Sequence, residues 1–131
     1  MKLTSLRIIS KDIKAAVEFY EKISGITARW YTEDFAEFST NSITIAIGSA
    51  KTMQMFSEGL TDFAGTKSTI IEFLVKNVDE EYERIKSIAS EIIQEPTTMP
   101  WGNRSLLFCD PDGNMINFFT PVSVEAIKKF S

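Results

Sequence analysis

The chemistry open to this chain is bounded first by a residue type it lacks: none of its 131 residues is a histidine. Histidine is the usual general base near neutral pH and the commonest metal ligand. Without it there is no His-containing nucleophile triad, no zinc-activated water of the ordinary kind and no two-His-one-carboxylate iron site. The lone cysteine, Cys109, has no imidazole to activate it and reads as a small buried hydrophobe rather than a nucleophile. One cysteine also rules out an intrachain disulfide and suits a reducing, cytoplasmic compartment. Tyr20, Tyr31 and Tyr82 are the remaining acids, and two of them, Tyr20 and Tyr82, fall on apolar helical stripes, where packing is their expected role. Asp110-Pro111-Asp112-Gly113 offers two carboxylates, but a hard cation wants more oxygens than these. Proline presets φ and glycine tolerates φ > 0, so the segment is expected to be a hairpin turn.

The elements that position these groups form a repeat. Residues 6–13 (LRIISKDI) align without a gap on residues 71–78 (IEFLVKNV), at an offset of 65. Apolar residues match at four places, lysine matches lysine, and a helix-capping Asp12 matches a capping Asn77. A helix follows each cap. Ile13, Ala16, Val17 and Tyr20 share one face of the first, which Gly25 is suited to end in the left-handed conformation. Val78, Tyr82 and Ile85 stripe the second, with Glu80 at capping-box spacing from Asn77. Strands are expected at residues 27–31, 35–39 and 42–47 in the first half, and at 92–95, 105–109 and 115–120 in the second. The chain therefore reads as one α+β domain with a βαβββ module at residues 1–49, a linker at 50–67, a second module at 68–121 and a C-terminal helix at 122–131. The linker holds Met53, Met55, Phe56, Leu60 and Phe63 without strand alternation. A short helix within residues 53–60 and a role at a ligand surface or a dimer seam are the expectations there.

Composition narrows the partners. Hydrophobic residues make up 44% and charged residues 24%, an ordinary globular balance. The net charge of −4 argues against a phosphate-backbone partner, so no nucleic acid is expected. The start, MKLTSLRIIS, has no apolar core of the signal-peptide kind. No apolar run approaches the roughly 20 residues of a membrane span, so no membrane partner is expected either.

A doubled βαβββ unit that carries Trp101-Gly102-Asn103-Arg104 and then Phe108-Cys109-Asp110-Pro111-Asp112-Gly113-Asn114 resembles the vicinal-oxygen-chelate superfamily of glyoxalases, extradiol dioxygenases, fosfomycin-resistance enzymes and bleomycin-resistance proteins. The opening Ile9-Ser10-Lys11-Asp12-Ile13, with Phe19-Tyr20 and Gly25, is similar to the family's first module. The resemblance covers nearly the whole chain. It implies a curved, eight-stranded cup with helices on its outer face, a homodimer, and a metal held by His or Glu on the first and last strand of each module. Carried over, those positions are Ser5, Ala46, Ile70 and Asn117. A hydroxyl, a methyl, a sec-butyl group and an amide cannot hold a transition metal against water. The resemblance thus implies the scaffold with a degenerate metal site, and no cofactor is expected.

Side chains alternate along a strand, so a cup-facing Ser5 brings Arg7 with it, a cup-facing Ile70 brings Glu72, and Asn117 brings Met115 and Phe119. Arg7 and Glu72 occupy equivalent places in the repeat. They form either a partly buried structural ion pair, the cheaper arrangement for two charges, or a charged floor that orients a ligand. Trp30, Trp101, Phe56 and Phe119, with Phe35 and Phe38, supply aromatic surface that serves either core or dimer packing or, at Trp30 and Trp101 near strand ends, stacking on a planar ligand. Asn103 and Arg104 are expected to fix the approach to the last hairpin. The expected ligand-binding set is therefore Arg7, Glu72, Trp30, Phe56, Trp101, Asn117 and Phe119. Three functions stay open: a metal-independent protein that sequesters a partly planar organic molecule such as an antibiotic; a lyase, isomerase or dioxygenase with a rearranged metal site using Glu72 and Asn117; and a regulatory module with no small ligand.

Overall fold

A computed structural model describes residues 1–54 and 69–131. The chain divides into two compact units, Met1–Ala64 and Gly65–Ser131, each with its own four-stranded sheet.

In the first unit, β1 (Ser5–Ser10) leads into α1 (Ile13–Ser24), followed by β2 (Arg29–Thr32), β3 (Phe35–Ser39), β4 (Thr44–Ser49) and the short α2 (Ala50–Gln54). The strand order is β1-β4-β3-β2, with β1 parallel to β4 and the other pairs antiparallel. Asp12 starts α1 by accepting the Ala15 N–H at 3.2 Å, satisfying a donor that has no partner inside the helix. Gly25 ends it at φ 71°. The apolar stripe of α1, including Ala16, Val17, Tyr20 and Ile23, is buried, as are Ala36, Phe38, Ile45 and Ile47 of the sheet. The Tyr20 and Phe38 rings meet with centroids 6.2 Å apart.

The second unit repeats the plan: β5 (Ile70–Leu74), α3 (Val78–Ile85), β6 (Glu91–Thr98), β7 (Asn103–Cys109), β8 (Met115–Pro121) and α4 (Val124–Lys129). The order β5-β8-β7-β6 again places the first strand parallel to the last. Asn77 caps α3 through the N–H groups of Asp79 and Glu80. Phe108 and Phe118 pack edge to face at 5.1 Å on the side of the sheet that carries Ile116 and Leu106, all four buried.

Both modules thus have the expected βαβββ order, and the fold is α+β. Several boundaries differ from the sequence reading. β4 runs to Ser49 rather than residue 47 because the Ser49 N–H bonds the Asp34 carbonyl at 2.9 Å. β6 continues through Pro96 to Thr98. It lies at the sheet edge, where a residue without an N–H is tolerated, and its register shifts at Ile92/Gln94 and Gln94/Thr97 absorb the irregularity. Helix α2 begins at Ala50, earlier than the helix expected at 53–60. Met55, Phe56, Leu60 and Phe63 lie outside the described residues.

Candidate functional site

The register of the first sheet decides which side chains share a face. Arg7 pairs with Ala46 and Ala46 with Glu37, while Ile9 pairs with Gly48 and Gly48 with Phe35. These residues lie on the side opposite Ile45 and Ile47, which alternate with them along β4. Arg7 on β1 and Phe35 on β3 are separated by β4, whose intervening residues on this face are the small Ala46 and Gly48. The guanidinium reaches across them to lie 4.9 Å from the Phe35 ring centroid. Such a contact contributes about 0.5–1 kcal/mol where water has access, so it orients the arginine more than it stabilises the fold. The Tyr31 ring stands 6.0 Å from Phe35, with the Arg29 guanidinium 4.8 Å from its centroid.

A cavity of about 710 Å³ opens here, lined by Arg7, Tyr31, Thr32, Glu33, Asp34, Phe35, Lys51 and Thr52. That volume lies within the roughly 300–1,000 Å³ usual for small-molecule sites. Its walls are held by local chemistry. In the β2–β3 turn, Asp34 accepts the Ser49 hydroxyl at 2.7 Å and donates its N–H to Thr32 Oγ1 at 3.1 Å. On the other wall Thr52 donates to the Ser49 carbonyl at 2.7 Å. A Cβ on Gly48 would stand 2.6 Å from Thr52 Oγ1, so the absent side chain lets α2 come down on the sheet. The cavity combines an aromatic surface, two cations (Arg7 and Lys51) and two carboxylates.

In the second sheet, Ile70 pairs with Met115, Glu72 with Asn117 and Leu74 with Phe119, while Leu107 faces Asn117 and Ser105 faces Phe119. Asn117 Nδ2 donates to Glu72 Oε2 at 2.8 Å. Among the described residues, Asn103 Oδ1, Ser105 Oγ and Asn117 Oδ1 are buried without a hydrogen-bond partner. All three lie on the face of β7 and β8 opposite Leu106, Phe108, Ile116 and Phe118. Each such atom costs roughly 1–3 kcal/mol relative to a paired one.

The residues expected at a site are dispersed. Arg7 lines the cavity; Glu72 and Asn117 are bonded to each other in the second sheet. Trp30 is 43% exposed, but its register partner is Ala36, which puts it on the α1 side of the sheet, away from Arg7. Trp101 is 64% exposed in the β6–β7 turn. Phe119 is buried, with its ring 5.0 Å from that of Phe130 beyond α4. Phe56 lies outside the described residues. Arg104, read as a hairpin residue, makes a two-pronged bond to Asp79 at the start of α3, at 2.8 and 3.0 Å. Tyr82 donates to Glu95 at 2.9 Å, and that bond holds its phenol above the usual range, which makes it a poor acid. Cys109 is buried. Tyr31, Phe35 and Lys51 were not in the expected set; alternation from Ser5 leads to Arg7, but only the three-strand register brings Phe35 beneath it.

A family model described as the Glyoxalase/Bleomycin resistance protein/Dioxygenase superfamily matches residues 2–118. The chain belongs to this superfamily. Among curated relatives, a bleomycin resistance protein of Geobacillus stearothermophilus is 31% identical over 85% of this chain and 90% of its own length. An uncharacterized Bacillus subtilis protein, YraH, is 27% identical over 91% and 98%. Solved structures of the same fold include a protein of unknown function from Agrobacterium tumefaciens, with TM-score 0.81 and 22% identity over 93% of this chain and 95% of that one. Another is a glyoxalase/bleomycin resistance protein/dioxygenase from Nocardioides, with TM-score 0.78 and 22% identity over 95% and 85%.

The positions where the superfamily resemblance implies a metal do not fit one. Within the first unit they are Ser5 and Ala46, the latter buried at 3% exposure and presenting only a methyl group. Within the second they are Ile70, a hydrocarbon, and Asn117, whose amide is turned with Nδ2 toward Glu72. The register supports Ala46 as the counterpart of Asn117, since Ala46 pairs with Arg7 as Asn117 pairs with Glu72. Among the described residues no three His, Cys, Asp or Glu side chains gather where a metal could be held. No helix among them is long and apolar enough to cross a membrane.

Proposed function

We propose that the protein binds a small, partly planar organic molecule in the cavity between Arg7, Tyr31, Phe35 and α2, without a metal ion. The observation that carries this reading is the Arg7 guanidinium lying over Phe35 inside a cavity of about 710 Å³. A flat ring finds Tyr31 and Phe35 to stack on, and an acidic substituent finds Arg7 and Lys51. The bleomycin resistance proteins at 31% identity support capture of an antibiotic-like compound, and sequestration rather than conversion accords with the poor donors at the metal positions. The same reading takes the protein to be a cytoplasmic homodimer.

A thermal-shift screen of antibiotics and divalent ions tests it. A compound that binds only the folded protein stabilises it by about 2.7 kcal/mol at a hundred times its Kd. The expected result is a saturable shift with an organic compound in metal-free protein, diminished in Arg7→Met. Stoichiometric metal in the purified protein, with no organic ligand stabilising the stripped form, would favour the enzyme reading and overturn this one.

A further inference from the structure

The second sheet carries a different constellation. Glu72, Asn117 and Ser105 sit on neighbouring strands β5, β8 and β7 and face the same side, with Asn103 one pair further along. A carboxylate only accepts hydrogen bonds, so the 2.8 Å contact from Asn117 Nδ2 to Glu72 Oε2 fixes which way the amide points. Its Oδ1 is turned elsewhere, buried and unpaired, in company with Ser105 Oγ and Asn103 Oδ1. Ser105 itself is only 6% exposed. Native proteins pair nearly all buried polar atoms, and three unpaired ones on one face call for an occupant.

The chemistry of that occupant follows from what the face offers. The two amide oxygens are acceptors, the serine hydroxyl has lone pairs to give, and Glu72 adds a negative charge. An anion would be repelled. A compact metal ion needs oxygens converging on one point, whereas the Asn117 amide places its NH2, not its oxygen, beside the carboxylate. A group with several N–H donors can serve the Glu72 carboxylate, Asn117 Oδ1 and Ser105 Oγ, which stand on adjacent strands. We propose that this face of the second sheet binds the cationic N–H end of a ligand, a primary ammonium or an amidinium, with Glu72 as counter-charge and Asn117 Oδ1 and Ser105 Oγ as acceptors. Charge-assisted hydrogen bonds of this kind are the stronger ones, and the chain's net charge of −4 raises the local concentration of cations. The site shares no residue with the Arg7–Phe35 cavity and stands or falls independently of it.

Benzylammonium and benzamidinium are the probes, with benzyltrimethylammonium, which keeps the charge and ring but has no N–H, as the comparison. Titration followed by thermal shift and by the side-chain amide resonance of Asn117 is expected to give saturable binding for the first two and at least about tenfold weaker binding for the third. Glu72→Gln, at an exposed position that retains an acceptor for Asn117, is expected to weaken binding by about tenfold or more, and Ser105→Ala by several-fold. If Ser105→Ala folds poorly, Glu72→Gln and the Asn117 resonance decide. Equal affinity for the trimethyl compound, an unchanged Kd in Glu72→Gln, or a silent Asn117 resonance would overturn the proposal and leave ordered water as the occupant.

Discussion

Asp110 and Asn114 hold each other by three hydrogen bonds. The Asn114 N–H and side-chain amide donate to the two Asp110 carboxylate oxygens, each at 2.8 Å, and the Asp110 N–H donates to the Asn114 carbonyl at 2.9 Å. The same carboxylate accepts the Asp112 N–H at 2.9 Å, and Asp110 is fully buried. Asp110→Ala leaves these part-buried donors without their acceptor, so it is expected to lower stability by about 3 kcal/mol. Urea denaturation measures it, and a loss under about 1 kcal/mol would mean that the turn finds other acceptors.

Two glycines with positive φ separate strain from crowding. Gly25 has φ 71° and open space where a Cβ would go; Gly102 has φ 93°, and its Cβ would stand 2.0 Å from Ser123 Oγ. Gly25→Ala is expected to cost about 1 kcal/mol from backbone strain alone. Gly102→Ala adds a steric clash and is expected to shift the melting temperature distinctly further. Equal shifts would show that the α4 start yields easily.

Binding in the first cavity is expected to depend on stacking as well as charge. Phe35→Leu keeps an apolar side chain but removes the ring under Arg7, and is expected to weaken a compound found in the screen by about tenfold. Arg7→Met is expected to weaken binding more than it shifts the melting temperature. Calorimetric titration beside thermal melts checks both, and loss of stability with unchanged affinity would assign Arg7 a purely structural role.

The Asp79–Arg104 pair sets a small acid dependence. The hydrogen bond from Arg104 holds the Asp79 carboxyl below its ordinary value of 3.8. Its folded pKa is therefore depressed. The stabilisation is present above the unfolded value and is lost as pH falls through the folded one. Both side chains are substantially exposed, so water screens the effect. Asp79→Asn is expected to lower the melting temperature slightly at neutral pH, the difference fading only below pH 3.8, as the folded carboxyl takes up its proton. A carboxyl titrating at or above 3.8 by NMR would show that the pair is open in solution.

Much of the scaffold was legible because it is governed by local rules. The caps Asp12 and Asn77, the left-handed Gly25 and the turn after Asp110 each follow from the chemistry of one or a few residues. The 65-residue repeat placed Arg7 and Glu72 at equivalent positions, and the register bears this out, each pairing with its module's last strand. What stayed hidden depends on register between distant strands. Nothing in Phe35 alone announces that Arg7 will lie over it; that needs the small Ala46 and Gly48 between them. The face of Trp30 turns on the irregularity between Trp30 and Thr32, and the unpaired oxygens of Ser105 and Asn117 emerge only once every neighbour's partner is known.

The parallel closure of each sheet has a consequence for how the chain is made. Within its own sheet β1 has only β4 as a neighbour, and β5 only β8. The leading strand of each half must therefore wait, unzipped, until its module's final strand leaves the ribosome. All four strands of the first sheet lie within residues 5–49, so that ladder can be completed while the second is still being synthesised. The two halves are thus free to assemble in sequence as the chain emerges.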